Sequence, residues 1–347
     1  MFIPKLATSD CSQETQKHPR FCVPSWKPLH ELFLNNRTKK VINQDIFQVH
    51  WWRHERDSHW CYEIQAKEPN SHCSGPEQWT GDCKKNQQSP INIVTSKTKL
   101  NPSLTPFTFV GYDQKKKWEV KNNQHSVEMS LGEDIYIFGG ELPTQYKAAQ
   151  LHLHWSEESN KGSEHSIDGK HFAMEMHVVH KKMTTSDKVQ DSDAKDKIAV
   201  LAFMVEVGNE VNEGFQPLVE ALSRISKPFT NSTVSESRLQ DMLPEKKKLS
   251  AYFRYQGSLT TPGCDETVIW TVFEEPIKIH KDQFLEFSKK LYYDQEQKLN
   301  MKDNVRPLQP LGNRQVFRSH ASGLLLSLPL PTLLVPTLTC LVASFLH

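Results

Sequence analysis

The segment QLHLHWSE, residues 150–157, contains two histidines that are one residue apart. Side chains alternate between the two faces of a β-strand, so His152 and His154 would lie on one face and Leu151 and Leu153 on the other. This pattern predicts a strand with a pair of imidazoles on one face and a packed core on the other. The alternative is an ordinary polar strand face, because a chain with 16 histidines in 347 residues often contains this spacing by chance.

A second histidine-bearing stretch, FAMEMHVVH at residues 172–180, alternates in the same way. Its His177 shares a face with Glu175, whereas His180 lies on the opposite face and is not a ligand candidate. If the two strands are neighbours, His177 joins the first imidazole pair. Three imidazoles leave one position of a tetrahedral zinc ion open, and this arrangement is typical of catalytic rather than structural zinc sites.

Histidines that bind a metal need a hydrogen-bond partner for their second ring nitrogen. Gln150 stands two residues before His152, and Glu175 stands two residues before His177, each on the same strand face as the histidine. The sequence therefore predicts that Gln150 and Glu175 orient two of the three imidazoles.

Residues 57–318 alternate short β-patterned runs with turn residues, and no linker-like stretch divides them. Helical periodicity is convincing only in GFQPLVEALSRI and KDQFLEFSKKLYY. The β-patterned runs are WEVKNN, SVEMSLG, IYIFGG, QLHLHWS, FAMEMHVVH, IAVLAFMVEVG, LSAYFRYQG and ETVIWTVF. We predict a mixed α+β, β-dominated single domain around a large, mostly antiparallel, twisted central sheet with peripheral helices.

The composition restricts the classes of function. The chain is 37% hydrophobic and 24% charged, as folded domains usually are, and its net charge of +1 gives no reason to expect nucleic acid as a partner. Glycosylation sequons at Asn36 and Asn231 indicate an oxidising compartment. Four cysteines in or beside the patterned region suit two disulfides: Cys61, Cys73, Cys83 and Cys264.

Residues 1–56 do not match the pattern of the central region. Pro4 and Lys5 interrupt the only apolar start, so the sequence predicts no signal peptide. The rest of this segment is basic and contains several prolines. We predict an atypical, poorly ordered N-terminal leader.

Several longer motifs occur in the order found in α-class carbonic anhydrases: QQSPINI, NNQH, QLHLHW, GSEHSIDG, EMHVVH, GSLTTPGC, VIWTVFEEPI and VRPLQPLGNRQV. This resemblance covers roughly residues 58–318. The cysteine pattern and the apolar tail are most similar to those of the extracellular, lipid-anchored members of the family. The resemblance implies a zinc enzyme that interconverts carbon dioxide and bicarbonate.

The resemblance also assigns roles within the site. The zinc ligands would be His152, His154 and His177, and zinc lowers the pKa of its water from about 16 to about 7. Thr260 would accept the proton of the resulting hydroxide and donate its own to Glu164.

A proton shuttle and a substrate pocket complete the implied site. His125 in NNQH matches the shuttle histidine, although Gln124 beside it replaces a glycine that fast members commonly carry, so we expect slower proton transfer. Carbon dioxide is apolar, and the matching pocket positions are Val179, Val200, Leu259, Thr260, Thr261 and Trp270. The implied disulfides are Cys61 with Cys73 and Cys83 with Cys264.

Two other functions compete with this prediction. Some domains of the same fold lack a ligand histidine and act as binding or adhesion modules, but all three ligands are present here. A different three-histidine zinc enzyme on another β fold would leave SLTTPG and GNRQV unexplained.

Within the C-terminal segment, residues 319–347, the stretch 323–347 runs apolar to the end of the chain. A membrane-spanning helix is one interpretation, but it would contain three prolines, and no Lys or Arg follows it. Small residues before the apolar run resemble the attachment signal of a glycosylphosphatidylinositol (GPI) anchor. We predict attachment at Ser319, with Ser322 as the second choice, and an enzyme on the outer leaflet with bicarbonate transporters as candidate partners.

Overall fold

The computed structural model describes residues 59–183 and 194–319. Strands dominate this part of the chain, which confirms the predicted class, while the predicted leader and the tail beyond Ser319 lie outside the described residues. The strands are β1 (Asn92–Ile93), β2 (Lys99–Leu100), β3 (Phe107–Val110), β4 (Lys116–Asn122), β5 (Val127–Ser130), β6 (Tyr136–Gly139), β7 (Tyr146–Trp155), β8 (Ser166–Ile167), β9 (Met174–Lys182), β10 (Ile198–Gly208), β11 (Thr230–Ser237), β12 (Tyr252–Gly257), β13 (Val268–His280) and β14 (Phe317–Arg318).

The helices are short and peripheral. The α-helices are α1 (Glu63–Ala66), α2 (Gln216–Ala221) and α3 (Lys281–Lys290), and the last two lie in the two stretches with predicted helical periodicity. The 3₁₀ turns are Pro76–Gln78, Gly81–Lys84, Thr95–Lys97, Leu222–Ile225, Leu239–Met242 and Lys246–Lys248. No helix in residues 59–183 or 194–319 is long and apolar enough to cross a membrane.

In the part of the chain that the structure describes, one large mixed sheet of twelve strands organises the domain. Its strands follow the order β11-β4-β5-β7-β9-β10-β13-β12-β14-β2, and β6 joins β3 to β7 at the side of this path. The pairs β10 with β13 and β14 with β2 are parallel, and the other ladders of this sheet are antiparallel. The predicted large, mostly antiparallel sheet is confirmed.

The strand register separates the two faces of the sheet. His152 on β7 lies directly opposite His177 on β9, and Val179 lies opposite Val200 on β10. Alternate residues such as Leu151 belong to the larger hydrophobic cluster on the other face. A second, smaller hydrophobic cluster lies beside the histidines. The sheet therefore has a core on both faces, and one of these faces carries the site.

Strand β13 continues beyond its predicted end at Phe273 and passes through Pro276. Proline has no N–H for the ladder and is tolerated inside a sheet mainly at a bulge. The register shows this irregularity, because Phe203 pairs with Phe273 whereas Val205 pairs with Ile277. Pro276 lies within this irregularity and beyond the β12 ladder, which ends at Phe273, so β13 can contain a residue without an N–H there.

Candidate metal centre

The three predicted ligands converge on one face of the sheet. His152 and His154 lie on β7 and His177 on β9, with ring centroids 5.0, 5.1 and 4.7 Å apart. Nε2 of His152 and Nδ1 of His177 are 3.2 Å apart. Two nitrogens on one tetrahedral zinc ion, each at about 2.0–2.1 Å from the metal, would be separated by about 3.3 Å. The geometry is therefore suited to sharing one metal ion.

The second nitrogen of each ring donates a hydrogen bond to an oxygen that only accepts. The three bonds run from His152 Nδ1 to Gln150 Oε1 (2.8 Å), from His154 Nδ1 to the Asn304 carbonyl oxygen (2.7 Å) and from His177 Nε2 to Glu175 Oε1 (2.7 Å). Because each donating nitrogen carries the proton, the other nitrogen keeps its lone pair. Three lone pairs are thus available to a metal.

Two buried polar atoms beside the triad have no hydrogen-bond partner among the described residues: Nε2 of His154 and Oε2 of Glu164. These two atoms are 3.5 Å apart. A buried polar atom without a partner is destabilising, so each such atom in a folded protein needs an explanation. A cation at the triad would supply the partner of His154, and the residues therefore fit a zinc ion.

Burial controls the protonation of the ligand histidines. It lowers the pKa of His152 well below the usual range, and the neighbouring imidazoles of His154 and His177 lower it further. Burial also lowers the pKa of His154, although the Glu164 carboxylate acts in the opposite direction. Both rings are therefore neutral near pH 7, which is the form that binds metals.

Glu175 is held by a second histidine besides His177. Its Oε1 accepts from His165 Nδ1 at 2.7 Å, and its Oε2 accepts from the His165 backbone N–H at 2.7 Å. Burial alone would raise the pKa of Glu175, but His165 and His177 outweigh burial and hold this pKa well below its usual range. His165 was missed in the sequence, although it directly follows Glu164 in the motif GSEHSIDG.

The predicted hydrogen bond from Thr260 to Glu164 is not formed in the described structure. Oε1 of Glu164 accepts from the Arg306 backbone N–H at 2.9 Å, and Oε2 has no partner. Thr260 is only 5% exposed in the loop after β12. The free Oε2 leaves an acceptor available for a hydroxyl donor.

An apolar wall lies beside the triad. Val179, Val200 and Trp270 belong to one buried cluster, and Leu259 packs against it. Val200 lies opposite Val179 on one neighbouring strand and opposite Trp270 on the other. The rings of His177 and Trp270 meet at a centroid distance of 4.9 Å. Four of the predicted pocket residues are thus brought together next to His177.

The loop that carries Thr260 and Thr261 is fastened at several points. The indole nitrogen of Trp270 donates to the Ser258 carbonyl oxygen at 3.0 Å, and the Cys264 N–H donates to the Thr261 carbonyl oxygen at 2.9 Å. Cys264 also forms a disulfide with Cys83. The other predicted disulfide, between Cys61 and Cys73, is present as well, so both pairings are confirmed.

The predicted shuttle, His125, stacks on an aromatic ring. Its ring lies 3.7 Å from that of Trp60 with an angle of 13° between the planes, and 5.1 Å from the ring of His59. Burial, followed by the charge of His59, lowers the pKa of His125 to about 4. Gln124 has a φ of 75°, a region that favours glycine. In this position His125 is a weak base.

Asn304 is a central residue of the site that the sequence patterns did not predict. Its carbonyl oxygen holds His154, its Oδ1 accepts from the Trp155 N–H at 2.8 Å, and its Nδ2 donates to the His125 carbonyl oxygen at 3.0 Å. Asn304 is fully buried. It lies in a loop far along the chain, and strand alternation therefore gave no signal for it.

Arg306, two residues further on, was also missed. Besides its backbone bond to Glu164, its guanidinium donates to Gln88 Oε1 at 2.9 Å and to the Cys83 carbonyl oxygen at 3.1 Å. Arg306 therefore links the long disulfide to the carboxylate beside the triad. In the sequence, only the motif VRPLQPLGNRQV, which carries the family resemblance, points to this residue.

Two predicted modification sites, Asn231 and Ser319, lie outside the candidate metal centre. Asn231 is exposed on β11, and the sequon at Asn36 lies outside the described residues. Ser319 is 5% exposed, and its hydroxyl donates to the Ser250 carbonyl oxygen at 2.7 Å and accepts from the Tyr252 N–H at 2.9 Å.

Comparison with known proteins identifies the family. The model of the eukaryotic-type carbonic anhydrase family matches residues 74–320. The chain is 98% identical to carbonic anhydrase 4 of Rattus norvegicus over 291 residues, which make up 84% of this chain and 94% of that protein. It is 72% identical to carbonic anhydrase 4 of Mus musculus, with the same coverage, and 36% identical to carbonic anhydrase 12 of Homo sapiens over 67% of this chain and 66% of that protein. The chain therefore belongs to the eukaryotic-type carbonic anhydrase family and is an enzyme of carbon dioxide hydration.

Proposed function

We propose that the chain is a zinc enzyme that reversibly hydrates carbon dioxide to bicarbonate and a proton at the outer surface of the cell membrane. The zinc proposal rests on three unprotonated ring nitrogens that converge from His152, His154 and His177. These three side chains would hold zinc, and the bound ion would supply hydroxide near neutral pH by lowering the pKa of a water to about 7.

Thr260 and Glu164 would orient the attacking oxygen. A threonine hydroxyl has one proton, so a hydroxyl that donates to Glu164 must accept from the attacking group. This directs a lone pair of that group towards the substrate. The unpartnered Oε2 of Glu164 and the almost complete burial of Thr260 support these roles.

The apolar wall would hold carbon dioxide. A small molecule without a dipole gains from contact with apolar side chains and has little use for hydrogen-bond donors. We assign this contact to Val179, Val200, Leu259 and Trp270, next to the triad. Thr260 and Thr261 would border the same space from the loop.

His125 would carry the product proton to the solvent. Burial, followed by the charge of His59, lowers the pKa of His125 to about 4, so we expect slower transfer than from an imidazole that titrates near neutral pH. His125→Ala should slow the proton-transfer step further, and small imidazole buffers should restore part of the rate. An unchanged rate at low buffer concentration would assign the relay to another group.

A non-catalytic binding module on the same fold is the rival function. The intact triad, with Glu164 and Thr260, favours the enzyme. The test is metal analysis of the purified chain together with a carbon dioxide hydration assay. We expect about one zinc per chain and activity that rises with pH.

His152→Ala should lose both zinc and activity, because two imidazoles hold zinc much less tightly than three. His72→Ala, which removes an exposed histidine, serves as the control. A chain that contains zinc but does not hydrate carbon dioxide would support the binding module instead.

The extracellular location is supported by two disulfides and by an exposed sequon at Asn231. Disulfides persist in oxidising compartments. We propose glycosylation of Asn231 and a GPI anchor at Ser319, with bicarbonate transporters as candidate partners in the control of pH at the membrane.

Treatment of intact cells with phosphatidylinositol-specific phospholipase C tests the anchor. Activity should appear in the medium. Mass spectrometry should show that the C-terminal peptide of the released protein ends at Ser319. Activity that stays on the membrane, on a protein that still carries residues 324–347, would favour a spanning helix.

A further inference from the structure

Phe229 has the most exposed large hydrophobic side chain among the described residues, at 71%. Its φ of 61° lies in the left-handed region of backbone conformation. A bulky residue is a genuine outlier there, and an exposed ring gains no burial that would offset the strain. Such an outlier is a reason to look for a function.

The backbone around Phe229 is fixed from both sides. The Phe229 N–H donates to the Asn122 carbonyl oxygen at 2.8 Å, and the Pro228 carbonyl oxygen accepts from Gln295 Nε2 at 2.9 Å. A strained conformation persists only where the surrounding structure determines it. The fold therefore presents this ring to the solvent in a defined place.

A glycosylation sequon begins two residues after the ring. Phe229 directly precedes β11, which lies at one end of the strand order and carries Asn231-Ser232-Thr233. Asn231 and Thr233 are both exposed, whereas Val234 is buried. Alternation along the strand thus places the acceptor asparagine and the threonine on the solvent face together.

We propose that the ring of Phe229 packs against the first sugar of an N-linked glycan on Asn231, with the methyl group of Thr233 beside the same sugar. The inference rests on the proposed glycosylation of Asn231. Two residues of extended chain span about 6.6 Å, so one sugar can reach from the acceptor amide to the ring.

The contact has a clear physical reason. One face of a pyranose ring consists of C–H groups, and the negative face of an aromatic ring attracts such groups. Packing would remove apolar surface of Phe229 from water, which stabilises the folded glycoprotein. A lipid surface is another environment that accepts an exposed aromatic ring, but the adjacent sequon favours the sugar.

The test measures how much the glycan stabilises the protein with and without the ring. The full chain, behind an added secretory signal and with Asn36→Gln so that Asn231 is the sequon studied, is produced in mammalian cells. Four versions of the chain are melted before and after treatment with peptide N-glycosidase: unaltered Phe229, Phe229→Ala, Phe229→Tyr and the control Phe138→Ala. Phe138 is 38% exposed on β6 and lies far from the sequon in the chain.

Removal of the glycan should lower the melting temperature by about 2–4 °C when Phe229 is unaltered, which corresponds to about 1 kcal/mol for a domain of this size. Phe229→Tyr and Phe138→Ala should show the same decrease, and Phe229→Ala should show almost none. After deglycosylation, Phe229→Gly should melt no lower than the unaltered chain, because it relieves the φ strain without losing a buried contact.

Three results would overturn the inference in different ways. If removal of the glycan lowers the melting temperature equally with and without the Phe229 ring, on a chain whose Asn231 peptide carries a glycan, the packing alone is refuted. An unmodified Asn231 peptide in mass spectrometry refutes the glycosylation proposal and this inference with it. The third result combines equal decreases in melting temperature with binding of the deglycosylated chain to phosphatidylcholine vesicles. If Phe229→Ala abolishes this binding, the ring is assigned to a lipid surface.

Discussion

At the scale of single residues, the chemistry of the triad depends on which nitrogen of each ring carries the proton. Gln150, Glu175 and the Asn304 carbonyl group accept from one nitrogen of each histidine and thereby fix the tautomer. Loss of one acceptor frees a ring to rotate and to change tautomer. These acceptors would therefore contribute to the metal affinity of the triad without touching the metal.

Gln150→Ala should lower zinc affinity by about 10–100-fold, because His152 loses the acceptor that orients its ring. The measurement is competition for zinc against a chelator of known affinity. Gln114→Ala, at an exposed position, is the matched control. Equal zinc affinity of the two variants would contradict the role of Gln150.

His125→Gln should make the stability of the domain less sensitive to pH. The folded protein keeps His125 neutral down to about pH 4, whereas the unfolded chain binds a proton below about 6.5. The unfolded state thus holds more protons between these values, and stability falls as the pH falls through this window.

Denaturant titrations at pH 7 and pH 5 measure this effect of His125. The variant should lose less unfolding free energy than the unaltered chain, by on the order of 1–2 kcal/mol. The exposed His72→Gln serves as the control. The same loss in the His125 variant and in the unaltered chain would show that the histidine titrates normally in the fold.

At the scale of elements, the alternation of strands made much of the site predictable. β10 was predicted with the observed bounds, and the histidine strands proved to be neighbours. β11 was missed because TNSTVSES has only one apolar residue, as an edge strand can have. Asn304 could not be predicted from periodicity, since it reaches the site from a loop. The same is true of the aromatic stack around His125 and of the burial that lowers the pKa of this histidine.

The end of β12 leaves no room for a side chain at Gly257. A Cβ there would lie 2.2 Å from Ser89 Oγ, 2.8 Å from Tyr255 and 2.9 Å from Trp270. Gly257→Ala should therefore destabilise the domain by about 1–3 kcal/mol. It should also lower activity, because Thr260 follows three residues later.

Thermal melts and hydration assays test the Gly257 prediction. Gly132→Ala is the control, since the nearest atom to its Cβ would be the flexible end of Lys116 at 3.7 Å. Wild-type stability and activity in Gly257→Ala would mean that the surrounding side chains can move aside without loss.

At the scale of the whole molecule, the two disulfides in residues 59–183 and 194–319 close loops of very different length. Cys61 and Cys73 are 12 residues apart in the chain, whereas Cys83 and Cys264 are 181 apart. A crosslink limits the freedom of the unfolded chain more strongly when it closes a longer loop. The long bridge also fastens the loop of Thr260 to the Arg306 network.

Replacing Cys83 and Cys264 together by serine should cost up to roughly 5 kcal/mol of unfolding free energy, against roughly 3 kcal/mol for the pair Cys61 and Cys73. Urea denaturation of the two double variants measures the difference. Only the variant without the bridge between Cys83 and Cys264 should also lose activity well below its melting temperature. A larger loss from the short bridge would contradict the loop-length argument.

The register of β7 and β9 also has a consequence for the order in which the site assembles. His152 and His177 are separated by only 25 residues, whereas His154 and Asn304 are 150 residues apart. Contacts between residues close in sequence require less loop closure and form earlier during folding. We therefore expect the imidazoles to meet while much of the chain is still unstructured, and Asn304 to fix the tautomer of His154 in a later step.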